Sequence, residues 1–206
     1  MSTIALFGGS GRTGERVLER LLEKGHRVRL LTRQPMGSKE GIDVILGNAT
    51  DRDAVFETVQ SADIVISALG TDKQNVLSTF TPLVIEAMKQ FNVTRIITVG
   101  TAGILKANDS DNYRFETKES KRSMTTAAED HARAYELLRD SGLAFTVICP
   151  TQLINEPSNG DIIVSKEVLG TKQSGPISRD DVAELVLDCF TNDDYVGHRV
   201  GITTES

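Results

Sequence analysis

The sequence predicts an α/β fold in a single domain: a doubly wound, mostly parallel sheet with helices on both faces. Three observations predict it. Short apolar runs alternate along the chain with segments whose apolar residues recur at helical spacing. The inner apolar runs are continuous rather than alternating, which means strands buried on both faces under layers of helices. The β-α-β order repeats, and right-handed crossovers then leave few other topologies. A length of 206 residues suits one domain with a core of its own.

The elements follow in order. "TIALF" is the first strand. A glycine-rich turn leads into "ERVLERLLEKG", where Val17, Leu18, Leu21 and Leu22 share a face and Gly25 is a natural C-cap. "RVRLLT" and "DVILG" are strands two and three, and "DRDAVFETVQ" is a helix with Asp51 as its cap. "ADIVISALG" is strand four, "STFTPLVIEAMKQFN" a longer helix and "TRIITVG" strand five. "TTAAEDHARAYELLRDSG" is a helix ending at Gly142, and "AFTVICP" is strand six. "SRDDVAELVLDCF" is a helix capped by Ser178, and "HRVGIT" is a last strand. Residues 102–121 and 151–178 break the rhythm. The first segment is polar and charged, and the second has no helical pattern. Both follow carboxyl ends of strands, where open α/β sheets bind ligands, so they are read as walls of a substrate pocket.

Composition narrows the function classes. A net charge of −6 offers no basic face for nucleic acid or an anionic membrane. No apolar run reaches the roughly 18 residues of a membrane span, and the chain enters its first strand without a signal peptide. Cys149 and Cys189 lie inside apolar segments and read as buried free thiols, with no metal-ligand or disulfide spacing. A cytoplasmic protein without a metal site is expected. His26 and His198 read as surface residues.

The chemistry concentrates in "GGSGRTG", Gly8, Gly9, Ser10, Gly11, Arg12, Thr13 and Gly14. Gly9, Gly11 and Gly14 satisfy G-x-G-x-x-G, while Gly8, Gly11 and Gly14 satisfy G-x-x-G-x-x-G. The stretch leaves a strand and opens a helix, as a dinucleotide cradle requires. Glycine permits positive φ in the turn and removes the side chain where a pyrophosphate approaches. Free amides at the positive end of the helix dipole then meet the phosphates. The fold is therefore Rossmann-like.

Strand two ends in Thr32 and Arg33, where an NAD-specific site places an acid for the ribose diol. The planar fork of Arg33 suits a 2′-phosphate, and Arg12 is expected on the same adenosine side, so NADPH/NADP is the expected cofactor. Asn48 and Ala49 in "GNATD" are expected to flank the adenine. Ala68, Leu69 and Gly70 in "ALGT" are expected to pass under the ribose and phosphates.

"GGSGRTG", "GNATD", "ALGT" and "LLRDSGLAFTVICP" together resemble the atypical short-chain dehydrogenase/reductases, the NmrA-like NAD(P)-binding group. Within it the likeness is strongest to the biliverdin reductase and flavin reductase branch, and it runs through "DDYVGH" near the C-terminus. The resemblance implies a monomeric NADPH-dependent reductase of flat conjugated acceptors: flavin, quinone or tetrapyrrole. It puts Thr101 just after strand five, beside the nicotinamide, with Pro150 shaping that pocket, and it matches His131 in "EDH" to the family's helix histidine. Gln152 stands where the family has a histidine, and there it would contact the nicotinamide or the acceptor.

The Tyr-x-x-x-Lys pair of ordinary short-chain dehydrogenases is missing; Ala127 and His131 take its places. Alcohol–ketone chemistry, which needs the phenol to move a proton, is not expected. Thr101, His131 and Gln152 are the candidate catalytic residues. A non-catalytic NADP(H) sensor of the NmrA type is the alternative, and an epimerase ranks last because the chain is short for the usual substrate domain.

Overall fold

The run Thr3–Phe7 forms β1 in the middle of the sheet, and the rest of the chain is wound outward from it in both directions. The structure is a computed structural model that describes residues 1–37, 39–71, 75–120 and 124–205. The next strands along the chain are β2 (Arg27–Thr32), β3 (Ile42–Leu46), β4 (Ile64–Ser67), β5 (Arg95–Val99) and β6 (Ala144–Pro150). After β6 come the short β7 (Leu153–Ile154), then β8 (Ile162–Lys166), the short β9 (Ile177–Ser178) and β10 (His198–Thr204). Among the described residues five α-helices lie between them: α1 (Arg12–Glu23), α2 (Arg52–Val59), α3 (Val76–Gln90), α4 (Thr126–Arg139) and α5 (Arg179–Thr191).

Among the described residues the main sheet has eight strands in the order β3-β2-β1-β4-β5-β6-β10-β8. All neighbours are parallel except β10 and β8. Strand order reverses between β1 and β4, so the crevice beyond their carboxyl ends is the natural ligand site.

Alternate residues of one apolar strand serve opposite cores, which explains the continuous runs. Ile4 and Leu6 face α1 and α5, with Val17, Leu21, Val182 and Val186. Ala5 and Phe7 face α2, α3 and α4, with Val55, Phe80, Val84 and Leu138. Helix ends follow the local chemistry. Asp51 accepts from the Asp53 amide at 3.0 Å, Ser178 accepts from the Asp181 amide at 3.0 Å, and Gly25 and Gly142 take φ of +76° and +80° after their helices.

Several expectations need correction. The segment 102–121 is not polar throughout, because Thr101–Leu105 are buried and Ile104 and Leu105 belong to the core. Its last residue, Lys121, lies outside the described residues. The segment 151–178 holds strands: β8 pairs antiparallel with β10 at the sheet edge, and β7 pairs with β9. The last strand therefore lies inside the sheet. His26 and His198 are half-buried. The His26 Nδ1 accepts from the Ser2 amide at 3.3 Å, and the His198 Nδ1 lies 3.2 Å from Glu167.

The half-buried Glu167 belongs to a cluster around the buried Arg199 that ties this end of the molecule together. Arg199 donates to Glu167 Oε2 from Nε (3.0 Å) and Nη2 (2.7 Å) and to the Ile104 carbonyl from Nη1 (2.5 Å). Its guanidinium also lies 4.5 Å from the Tyr135 ring centre. One side chain of β10 thus holds the end of β8, the turn after β5 and helix α4. Cys149 and Cys189 are free and buried, and burial pushes their thiols up to about 12 and about 11, so neither is a thiolate at neutral pH.

Candidate functional site

Four strand ends, those of β1 to β4 with the loops that follow them, close a cleft of about 410 Å³ at the switch point. Gly8, Ser10 and Gly11 line it from the β1–α1 turn, and Leu31, Thr32 and Arg33 from the end of β2. Gly47, Asn48, Ala49 and Thr50 contribute from the end of β3, and Ala68, Leu69 and Gly70 from the end of β4. Ten of the residues singled out in the sequence therefore meet in one cleft: Gly8, Ser10, Gly11, Thr32, Arg33, Asn48, Ala49, Ala68, Leu69 and Gly70.

The glycines there have different tasks. Gly8 has φ +80°, and a Cβ on it would lie 2.7 Å from the Ala68 carbonyl carbon, so it lets the loops after β1 and β4 touch. A Cβ on Gly9 would strike Leu30 Cδ1 at 2.5 Å, beneath the loop, and one on Gly14 would collide with the Gly8 carbonyl. Those two glycines serve packing. Gly11 differs: a Cβ there would meet only the Gly8 carbonyl oxygen, at 3.2 Å. Gly11 is also the N-cap of α1, with φ −85°, and no side chain caps that helix. The first-turn amides of α1, at Arg12, Thr13 and Gly14, thus point out of an uncapped helix end beside a bare backbone. That arrangement fits a pyrophosphate.

Thr32 is buried and its hydroxyl is held by the Gln34 backbone, donating at 3.1 Å and accepting at 3.3 Å. Arg33 beside it is exposed at the rim. Asn48 Oδ1 accepts from the Thr50 amide at 3.2 Å, which shapes the turn after β3. Arg12 is not among the cleft's lining residues. It is exposed at the start of α1, where its charge acts on Arg179.

Thr101, Pro150 and Gln152 lie just beyond or at the carboxyl ends of the adjacent strands β5 and β6, outside the cleft lining. Thr101 is buried and its hydroxyl accepts from the Gly103 amide at 3.4 Å. Pro150 is buried as the last residue of β6, while Gln152 is exposed and its carbonyl accepts from the Ile177 amide at 2.9 Å. His131 lines a separate cavity of about 30 Å³ with Thr98, Tyr135 and Leu138, which is room for a water and not for a substrate.

A neighbour of His131 went unremarked in the sequence. Asp130 is fully buried and accepts from the Leu77 and Ser78 amides, both at 3.0 Å. It caps α3 from α4, a task that the α3 N-cap residue Asn75 leaves undone. An acid in the first turns of one helix is an ordinary pattern, so only the tertiary contact reveals it. Among the described residues no group of His, Cys, Asp and Glu could hold a metal ion, and no helix is long and apolar enough to cross a membrane.

Comparison with known proteins agrees with this geometry. The model of a family described as NAD(P)H-binding matches residues 8–193. A candidate NADH-flavin reductase from Streptococcus pneumoniae superposes with a TM-score of 0.82 at 21% identity, covering 100% of both chains. Anaerobilin reductase ChuY from Escherichia coli O157:H7 gives 0.79 at 20% identity, over 98% of this chain and 97% of that one. A wide-type short-chain dehydrogenase/reductase from Veillonella parvula, solved in complex with NADP, gives 0.77 at 20%, over 98% and 94%. These likenesses carry the Rossmann fold, and the match from the glycine loop to the end of the last helix carries the rest: the chain belongs to the NAD(P)H-binding family.

Proposed function

We propose that the protein is an NADPH-dependent reductase of flat conjugated acceptors of the flavin, quinone or linear tetrapyrrole type. The observation that carries this reading is a glycine-rich cleft of dinucleotide type together with a helix α4 that has Ala127 and His131 at the tyrosine and lysine positions of the short-chain dehydrogenases, its one phenol, Tyr135, being packed in the core against Arg199. Ala127 is exposed and His131 faces a water-sized cavity, where alcohol chemistry would need a tyrosine and a lysine. A flavin or quinone takes its proton from water, so the protein's task is placement and exclusion of competing reactions. The flavin and bilin reductases that share the fold support the same class.

When bound, the dinucleotide supplies the hydride. The residues that would hold it are Gly8, Ser10 and Gly11 with the amides of Arg12, Thr13 and Gly14 at the phosphates. Asn48 and Ala49 would hold the adenine side, and Ala68, Leu69 and Gly70 the ribose. Gly9 keeps the loop flat against β2. Thr101 and Pro150 would set the nicotinamide end, and Gln152 with the segments 102–121 and 151–178 the acceptor's walls. Arg33, on the rim where NAD-specific sites carry an acid, would take the 2′-phosphate.

The test is NADPH oxidation followed at 340 nm with FMN, riboflavin and a small quinone, each run beside NADH. Acceptor-dependent turnover that favours NADPH is expected. Tight NADPH binding with no turnover on any acceptor would replace the reductase with a sensor of the dinucleotide. Arg33→Ala is expected to weaken NADPH at least about tenfold while NADH moves less than about twofold, since one lost charge-assisted contact is worth about 1.5–3 kcal/mol. Equal losses for the two cofactors would remove the reason for choosing NADP.

A further inference from the structure

Helices α1 and α5 lie side by side on one face of the sheet. Their charges record the register. Arg20 reaches Asp180 at 2.9 Å and Glu184 at 3.2 Å, and Arg16 reaches Asp180 at 3.3 Å. Arg12, Arg16 and Arg20 are four residues apart and form one row along α1. At the top of that row, beside the glycine loop, the carboxylates run out. Arg12 there stands near Arg179, the first residue of α5. Among the described residues no carboxylate lies within 4.0 Å of either guanidinium.

Arg179 is 7% exposed, yet its hydrogen-bond acceptor is neutral: Asn155 Oδ1, at 2.9 Å. Burial, then the charges of Arg12 and Arg16, push its pKa down, and only the exposed Glu156 works the other way. A nearly buried cation beside two others, with a neutral partner, is an unfavourable arrangement that an incoming anion would relieve. Its position says which anion. Arg179 follows β9, which pairs with β7 just past Gln152, so it lies between the glycine loop and the wall 151–155. On the reductase reading, which puts Gln152 and the wall 151–178 beside the acceptor, this is the acceptor's flank.

We propose that Arg12 and Arg179 form an anion clamp that selects acceptors carrying an acidic group, a phosphate or a carboxylate. Each guanidinium can present two parallel N–H donors to such a group, and Asn155 holds Arg179 in place to do so. The clamp rests on the reductase reading for the identity of its ligand. The alternative anion at this end of the loop is the cofactor's own pyrophosphate.

FMN and riboflavin separate these, because they share a ring and differ by one phosphate. Two quantities are measured for each flavin in the wild type, Arg179→Gln and the solvent-exposed Arg12→Gln: kcat/KM with NADPH, and equilibrium affinity for the protein saturated with NADP+. The wild type is expected to prefer FMN by about tenfold or more in both, and either variant to bring the ratio toward one. A wild-type ratio near one, or a ratio unchanged in both variants, overturns the clamp. So does a tenfold loss of NADPH affinity with the FMN preference intact, which would give these arginines to the pyrophosphate. Absence of turnover with every acceptor would sink the reductase reading alone; a binding preference for FMN that Arg179→Gln abolishes would still uphold the clamp.

Discussion

Gly11→Val is expected to raise the Kd for NADPH at least about a hundredfold, a loss of about 2.7 kcal/mol, with the protein still folded. Gly11 has φ −85° and ψ 160°, a conformation open to any residue, and among the described residues a Cβ would crowd only the Gly8 carbonyl oxygen. The isopropyl group would project where a pyrophosphate has to meet the α1 amides. Isothermal titration with NADPH, beside a thermal melt, checks both halves. Affinity within a few-fold of wild type would reduce the loop to a tight turn. Gly8→Ala gives the contrast. Its Cβ would run into the Ala68 backbone from a positive φ, so the melt moves first and binding is lost as a consequence.

Arg199→Ala is expected to cost about 2–3 kcal/mol, because it removes both guanidinium hydrogen bonds to the half-buried Glu167, which keeps the residue 199 amide and His198, and leaves the Ile104 carbonyl without its donor. For a chain of this size that is a fall in Tm on the order of 10 °C. Urea unfolding measures it, and a loss below about 1 kcal/mol would show that the cluster does not hold β8, β10 and α4 together. The pair also sets a pH dependence. Burial pushes the Glu167 carboxyl up, but hydrogen bonds from the Arg199 side chain and backbone, and its charge, leave it below the ordinary value. A depressed folded-state pKa means stability that is present above the unfolded value of about 4.3 and lost as pH falls through the folded one. The acid side of the stability profile should therefore flatten in Arg199→Ala.

Much of the fold could be read from local chemistry alone. Six parallel strands, the caps at Asp51 and Ser178, and the glycine stops at Gly25 and Gly142 all declare themselves within a few residues. The lining of the cleft was equally legible, because it comes from short loops at the ends of consecutive strands. Strand β8 was not: five residues between Gly160 and Glu167, paired on one side only, look like any loop with two isoleucines. That Arg12 has Arg179 for a neighbour was not legible, because it depends on how α1 packs against α5, which no local pattern states. Arg179 and Asp130 were hidden for the same reason, since each acts on a different element from its own.

The place of β10 has a consequence for how the molecule is made. In the main sheet β8 touches only β10, yet the chain lays β8 down some thirty residues earlier. Strands β1 to β6 and their helices can settle in the order of synthesis, because each meets a neighbour already present. From β8 onward the chain has to wait: the strand stays an open edge until residues 198–204 slide in beside β6 and complete both ladders at once. The part of the sheet that carries the glycine loop is thus finished early, and the edge at β8 is the last thing to close.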